Sequence, residues 1–202
     1  MSTTRSTLRQ AGVALRAMLV FTVVLGIGYT LLITGIGQLL LPWQANGSQA
    51  TADGRTVGST LIGQSFTDGD GAPLTTYFQS RPSAAGAGYD GGASSGSNYG
   101  PENADLVAAI ENRRASIAEF ENVEPAGIPA DALTASGSGL DPHVSPAYAL
   151  LQVDRVADSR GLDAQAVRDL VESRIQARDL GFLGEPRVNV LELNLALDAL
   201  QG

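Results

Sequence analysis

Residues 17–41 read AMLVFTVVLGIGYTLLITGIGQLLL and carry no charge. No other stretch limits the fold as strongly. At about 1.5 Å per residue a helix over this run spans roughly 37 Å, more than the roughly 30 Å of a bilayer's hydrocarbon core. One continuous helix pairs its own backbone groups, as a lipid environment demands. A buried helix of a soluble domain is seldom this long and apolar on every face. The sequence predicts a transmembrane helix over 17–41, preceded by a short N-terminal segment, 1–16.

Charge sets its direction. Arg5, Arg9 and Arg16 precede the run with no acid among them, and the next charge after it is Asp53. The basic excess predicts a cytoplasmic N-terminus and an extracytoplasmic remainder. A cleaved signal peptide is the competing reading, but its apolar region would be about 7–15 residues long. The one small-x-small candidate, Ser48-Gln49-Ala50, lies well past the end of the run. Trp43 suits the outer interface. Within the run Thr22, Gly26, Thr30 and Thr34 recur every four residues. Such a ridge lets another helix approach closely in lipid, so these four residues are expected to pack against a partner helix.

Composition removes whole classes of chemistry. There is no cysteine, which excludes disulfides, thiolate metal sites and a cysteine nucleophile. All 13 basic residues are arginine, so a P-loop lysine, a Schiff base and a lysine general base are excluded too. Beyond the span ten arginines face 21 carboxylates. A surface of that balance repels nucleic acid and can mildly concentrate cations.

Residues 42–56 are polar and small and read as a linker. Residues 57–66 (VGSTLIGQSF) and 74–78 (LTTYF) read as short strands joined by the turn TDGDG at 67–71. Residues 81–100 are rich in Gly, Ser and Ala, which fits either a flexible linker or an ordered functional loop. A helix is predicted over 102–122 and a single turn over 129–133. Residues 134–146 (TASGSGLDPHVSP) form a loop by every local rule. Ser145-Pro146 then caps and opens a helix to about 159, Gly161 ends it, and Asp163 caps another to about 178. Residues 187–190 read as a strand. In 191–200 (LELNLALDAL) Leu191, Leu193, Leu195 and Leu197 alternate like a strand, but the Leu, Ala and Glu content favours a helix, which is the expectation. The fold class expected is a single N-terminal transmembrane helix plus an extracytoplasmic α+β domain over 57–202, helix-rich with a small sheet.

Catalytic signals are sparse. His143 is the only histidine, and Asp141, Ser136, Ser138 and Ser145 lie near it in sequence. That invites a membrane-anchored hydrolase, yet triad members must converge through a fold, and no Gly-x-Ser-x-Gly motif accompanies them. No carboxylate cluster has metal-ligand spacing. The glycine-rich loops could cradle a phosphate, but no lysine supports them.

Several long motifs carry a family resemblance. They are GSTLIGQSF at 58–66, YFQSRPSA at 77–84, Tyr89-Asp90, SGSNYGPEN at 95–103, TASGSGLDPHVSPA at 134–147 and GEPRVNVLELNLALD at 184–198. With the preceding span they make the chain resemble, nearly end to end, the KdpC family, the C subunits of Kdp high-affinity potassium-transporting ATPases. The resemblance implies a non-catalytic subunit that joins a channel-like potassium-translocating subunit and a P-type ATPase subunit in the cell membrane. It also implies a catalytic-chaperone role that raises the ATP affinity of the ATPase subunit. No tightly bound cofactor is expected, and ATP contact is an implication of the resemblance only. Arg81, Ser83, Asp90, Ser97, Asn98 and Asn103 become candidates for a polar network or docking surface. So do Ser136, Ser138, Asp141, His143, Ser145, Glu185, Arg187 and Asn189.

Overall fold

A computed structural model describes residues 2–200; Met1, residues 201–202 and the side chains of residues 2–5, Arg5 among them, lie outside the described residues. The chain divides into two compact units between Ser48 and Gln49.

The first unit is helical almost throughout. Helix α1 (Ser2–Phe21) runs into a π-helical segment (Thr22–Tyr29) and then α2 (Thr30–Leu40). The stretch Ser6–Leu40 contains an 18-residue window with a mean hydropathy of 2.2 and is long and apolar enough to cross a membrane. Its apolar side chains, such as Leu25 and Ile27, are exposed. The helix ends where Leu41 leaves helical geometry and Pro42 follows; a short turn, α3 (Pro42–Ala45), comes next.

The second unit opens with a feature the sequence reading assigned to a linker. Strands β1 (Gln49–Ala52) and β2 (Arg55–Ser59) pair antiparallel, with a bulge between Ala50 and Thr51. Asp53 and Gly54 both take positive φ, 50° and 74°. That is the two-residue Asp-Gly turn whose twist matches paired strands, and the polar composition around it masked the signal.

The strands expected over 57–66 and 74–78 form only in part: β2 ends at Ser59, and the later segment joins no strand. Residues 74–77 form a turn, Tyr77 N–H donating to Leu74 C=O at 3.4 Å, and the backbone of residues 75–79 is bonded by side-chain amides and guanidinium groups. Asn194 accepts from Phe78 N–H at 2.9 Å and donates to Phe78 C=O at 3.0 Å. Gln152 does the same for the Gln79 backbone, at 2.7 and 3.2 Å. Arg155 Nη1 donates to the carbonyls of Thr75 and Tyr77, and Arg160 Nε to that of Thr76. Buried backbone groups need partners, and here helices supply them in place of a neighbouring strand.

The helices follow the sequence in their caps, but the single helix expected from 146 to about 159 is broken at Gln152, and His143 and Val144 of the expected 134–146 loop form a short strand. Helix α4 (Ala104–Glu121) is capped by Asn103, whose side chain accepts from Asp105 and Leu106 N–H, and it ends at Asn122 in the left-handed region. A 3₁₀ turn (Pro125–Gly127) leads to α5 (Ala130–Leu133). Strand β3 (His143–Val144) precedes α6 (Pro146–Leu151), α7 (Val153–Arg160) and α8 (Ala164–Ser173). Ser145 and Asp163 serve as N-caps and Gly161 as the left-handed C-cap, as expected. Helix α8 stops at Ser173, short of 178, because the chain turns into a paired excursion from Gln176 to Arg187. Strand β4 (Val188–Asn189) pairs antiparallel with β3, and α9 (Val190–Ala199) closes the domain. The expected single small sheet is thus two separate two-stranded sheets. The alternating leucines do form a helix: Leu193 and Leu197, four apart, are fully buried. They join Phe78, Val153, Val156, Val167, Val171, Val188 and Val190 in one core.

A candidate docking cleft around Arg81 and Asp141

Two loops, residues 81–100 and 134–143, converge on one ion pair. Arg81 Nη1 donates to Asp141 Oδ2 at 2.9 Å, and Nη2 donates to Thr134 C=O at 3.2 Å. Arg81 Nε is buried with no hydrogen-bond partner. Asp141 Oδ1 accepts the His143 N–H at 3.0 Å and lies 3.4 Å from His143 Nδ1. Burial pushes the Asp141 carboxyl up. The hydrogen bonds from His143 and Arg81, with the charge of Arg81, outweigh that and hold it at about 2.

The glycine- and serine-rich loop is ordered, and its bonds say why. Ser83 Oγ donates to Gly139 C=O at 2.6 Å and accepts from Ala85 and Tyr89 N–H. Tyr89 OH donates to Arg81 C=O at 2.8 Å. Burial, with Ser80, Asp141 and Arg81 as smaller influences, pushes that phenol up to about 12. Gly139 sits at φ 66°, and a Cβ there would lie 2.5 Å from Ser95 C=O. Only glycine allows the two loops to approach this closely.

The ion pair separates two open clefts. The larger, about 570 Å³, is lined by Arg81, Asp131, Asp141, His143, Ser145, Glu185 and Arg187 among others. The smaller, about 530 Å³, is lined by Leu61, Ile62, Arg81, Ser136, Ser138 and Asp141 among others. Pairing of His143 with Asn189 across β3 and β4 is what brings Glu185 and Arg187 to the histidine. Arg187 lies 3.5 Å from Asp179, and Glu185 pairs with Arg178.

Of the residues singled out in the sequence, eight line these two clefts: Arg81, Ser136, Ser138, Asp141, His143, Ser145, Glu185 and Arg187. Ser83 supports them from the loop behind. Asn189 is buried; it donates to Thr60 C=O at 2.8 Å and caps α9 through Glu192 N–H. Asp90 accepts from Gly92 N–H and holds its own turn. Ser97 and Asn98 are exposed, and Asn98 donates to Gly96 C=O. Asn103 is the α4 cap and lines neither cleft. Sequence reasoning missed Asp131. Its carboxylate accepts from Ser145 N–H at 2.6 Å and from Ser145 Oγ at 2.9 Å, across a separation that no local pattern reveals.

That last contact bears on the hydrolase reading. Ser145 Oγ donates to Asp131 and accepts from Tyr148 N–H, while Ser136 Oγ and Ser138 Oγ lie 3.4 Å from each other. The serines near His143 are thus engaged in caps and turns. In the first unit Thr22, Gly26, Thr30 and Thr34 are all exposed. Thr22 and Gly26 fall in the π-helical segment, whose wider winding bends the row of small residues away from a straight α-helical ridge. A Cβ on Gly26 would meet only Thr22 Cγ2, at 3.9 Å, so nothing within the unit demands glycine there.

An apolar helix of membrane-crossing length, followed by a small loop-knitted α+β domain with two open clefts that share the Arg81–Asp141 ion pair, defines a two-part protein with a candidate membrane span. Comparison with known proteins gives the family. Residues 11–199 match the family model "KdpC: K+-transporting ATPase, c chain", and the chain belongs to that family. It is 54% identical over 190 residues to the Potassium-transporting ATPase KdpC subunit of Kineococcus radiotolerans, covering 94% of this chain and 93% of that one. The protein of the same name from Methylococcus capsulatus is 52% identical, with 93% and 96% covered. That of Mycobacterium tuberculosis is 51% identical, with 95% and 99% covered.

Proposed function

We propose that this chain is the non-catalytic accessory subunit of an ATP-driven, high-affinity potassium uptake pump. It assembles with a channel-like potassium-translocating subunit and a P-type ATPase subunit in the cell membrane. The observation that carries this reading is the family match over residues 11–199, nearly the whole chain. The N-terminal helix crosses the bilayer with its arginine-bearing end in the cytoplasm, and the α+β domain stands outside. Thr22, Gly26, Thr30 and Thr34 pack against a partner helix in lipid, which accounts for a glycine that the chain's own packing does not require. The two clefts beside Arg81 and Asp141 receive polar groups of a partner subunit.

The family's chaperone role, raising the ATP affinity of the ATPase subunit, then reaches the nucleotide through the assembled complex and not through a phosphate site of this chain. A reporter fused to the C-terminus tests the orientation: activity only outside the cytoplasm is expected, and activity only inside it would reopen direct ATP contact. Assembly is tested by co-purification from membranes. The Gly26→Leu, Thr30→Leu double variant is expected to lower recovery of the partner subunits severalfold, and full recovery would remove the helix from the interface.

A further inference from the structure

At the end of α2 the chain doubles back on itself. Gln38 and Asn46 join their side-chain amides. Asn46 Nδ2 donates to Gln38 Oε1 at 3.1 Å, and Gln38 Nε2 donates to Asn46 Oδ1 at 3.4 Å. Asn46 Nδ2 also donates to Pro42 C=O at 2.6 Å. A Cβ on Gly37 would lie 3.7 Å from Ala45 Cβ, so α3 rests against the last turn of α2. The backbone of this reverse turn is bonded within itself. Leu41 C=O accepts from Ala45 N–H at 2.8 Å, Trp43 C=O from Ser48 N–H at 3.0 Å and Gln44 C=O from Gly47 N–H at 3.1 Å.

The edge of the hydrocarbon has two possible places. If Gln38, the first amide side chain of the run, marks it, residues 17–37 already make a helix of about 31 Å, the thickness of the core. Leu39, Leu40, Leu41 and Trp43 then stand in water. If the reverse turn marks it, those four side chains lie in lipid. The fold favours the second placement. Leu39 is 83% exposed, Leu40 74%, Leu41 53% and Trp43 50%, and they continue the exposed apolar surface of the helix. An amide in hydrocarbon is costly when unpaired, and Gln38 has its partner in Asn46. Non-helical backbone is tolerated at membrane depth only where its polar groups are bonded within the protein, as they are through this turn. No charge follows until Asp53.

We propose that this reverse turn is a lipid-embedded collar. The Gln38–Asn46 pair lets residues 39–41 sit below the phospholipid headgroups and holds the Trp43 indole among them, and the helix tilts to take up the added length. This rests on the reading of residues 17–41 as a membrane span. Trp43 is the only tryptophan, so the full-length chain reports its own depth by fluorescence. The test places it in phosphatidylcholine–phosphatidylglycerol vesicles whose acyl chains carry bromine near the glycerol or near the terminal methyl, with iodide in the water on both sides. Bromine near the glycerol is expected to quench Trp43 most, and iodide only weakly. Strong quenching by iodide with neither bromine effective overturns the collar, as does strongest quenching from the methyl end. Asn46→Ala and Gln38→Ala each break the amide pair, and each is expected to raise iodide quenching severalfold. The wild-type profile in either variant overturns the role of the pair. Release of the wild-type chain from the vesicles by alkaline carbonate would sink the span reading itself, whereas a retained chain with Trp43 in water sinks only the collar.

Discussion

Asp141 concentrates the cleft's electrostatics in one side chain. It meets Arg81 across a sequence separation of 60 residues and His143 across two. The second contact is legible in Asp-Pro-His as an Asx turn; the first is not, because nothing local pairs residue 81 with residue 141. Its carboxyl is lowered from an ordinary 3.8 to about 2 in the folded chain. The unfolded state therefore binds more protons through this window. The stabilisation is fully present above pH ~4 and disappears as pH falls through ~2; it amounts to about 2 kcal/mol. Denaturant titrations at a series of pH values should show an acid-side loss of that size, and Asp141→Asn should flatten it. An identical acid limb in the variant would mean the carboxylate is not held by this pair. Ser145 teaches the same lesson about reach. Its capping role is written in Ser-Pro, but its bond to Asp131 is supplied only by the fold.

Among the elements, helix α7 is the one that knits. Its Arg155 reaches Glu121 at the end of α4 at 2.8 Å and two carbonyls of residues 75–77, and its guanidinium lies 4.5 Å from the Phe120 ring centroid. The Arg155 and Glu121 side chains are 7% and 1% exposed. Burial pushes the Glu121 carboxyl up, against the pull of Arg155. Arg155→Ala is expected to cost roughly 3–5 kcal/mol, because it strands a buried carboxylate and frees two carbonyls. Arg155→Lys should recover only part of that, since an ammonium lacks the fork that serves several acceptors at once. Urea midpoints of the two variants check both statements, and a lysine variant as stable as wild type would contradict the second. This clamp also explains which elements could be read from sequence. Helices α4, α6 and α8 announce themselves through period, caps and breakers, whereas α9 is favoured by composition against an alternating leucine pattern. Residues 74–78 mislead, since the backbone of this β-forming stretch and of Gln79 beside it is bonded by Asn194, Gln152 and Arg155 in place of a strand.

On the scale of the whole molecule, the hydropathy pattern reveals the two-part plan, while the clefts depend on contacts between distant segments. Strand β4 and helix α9 carry much of what closes the domain. Val188, Val190, Leu193 and Leu197 are core residues, and Asn189 and Asn194 hold Thr60 and Phe78. A chain ending at Gly184 is expected to lose the cooperative unfolding transition and to be digested rapidly by protease. Survival of a protected fragment would show that the rest of the domain folds without them. The bond between Phe78 and Asn194 joins residues 116 apart, and that between Thr60 and Asn189 joins residues 129 apart. At a ribosome adding about 5–20 residues per second, the early loop waits on the order of ten seconds for its partners. The N-terminal helix is made long before that interval ends. The apolar helix therefore leaves the ribosome before the domain can close, and for that interval the emerging polypeptide is a client for whatever guards unfolded chains.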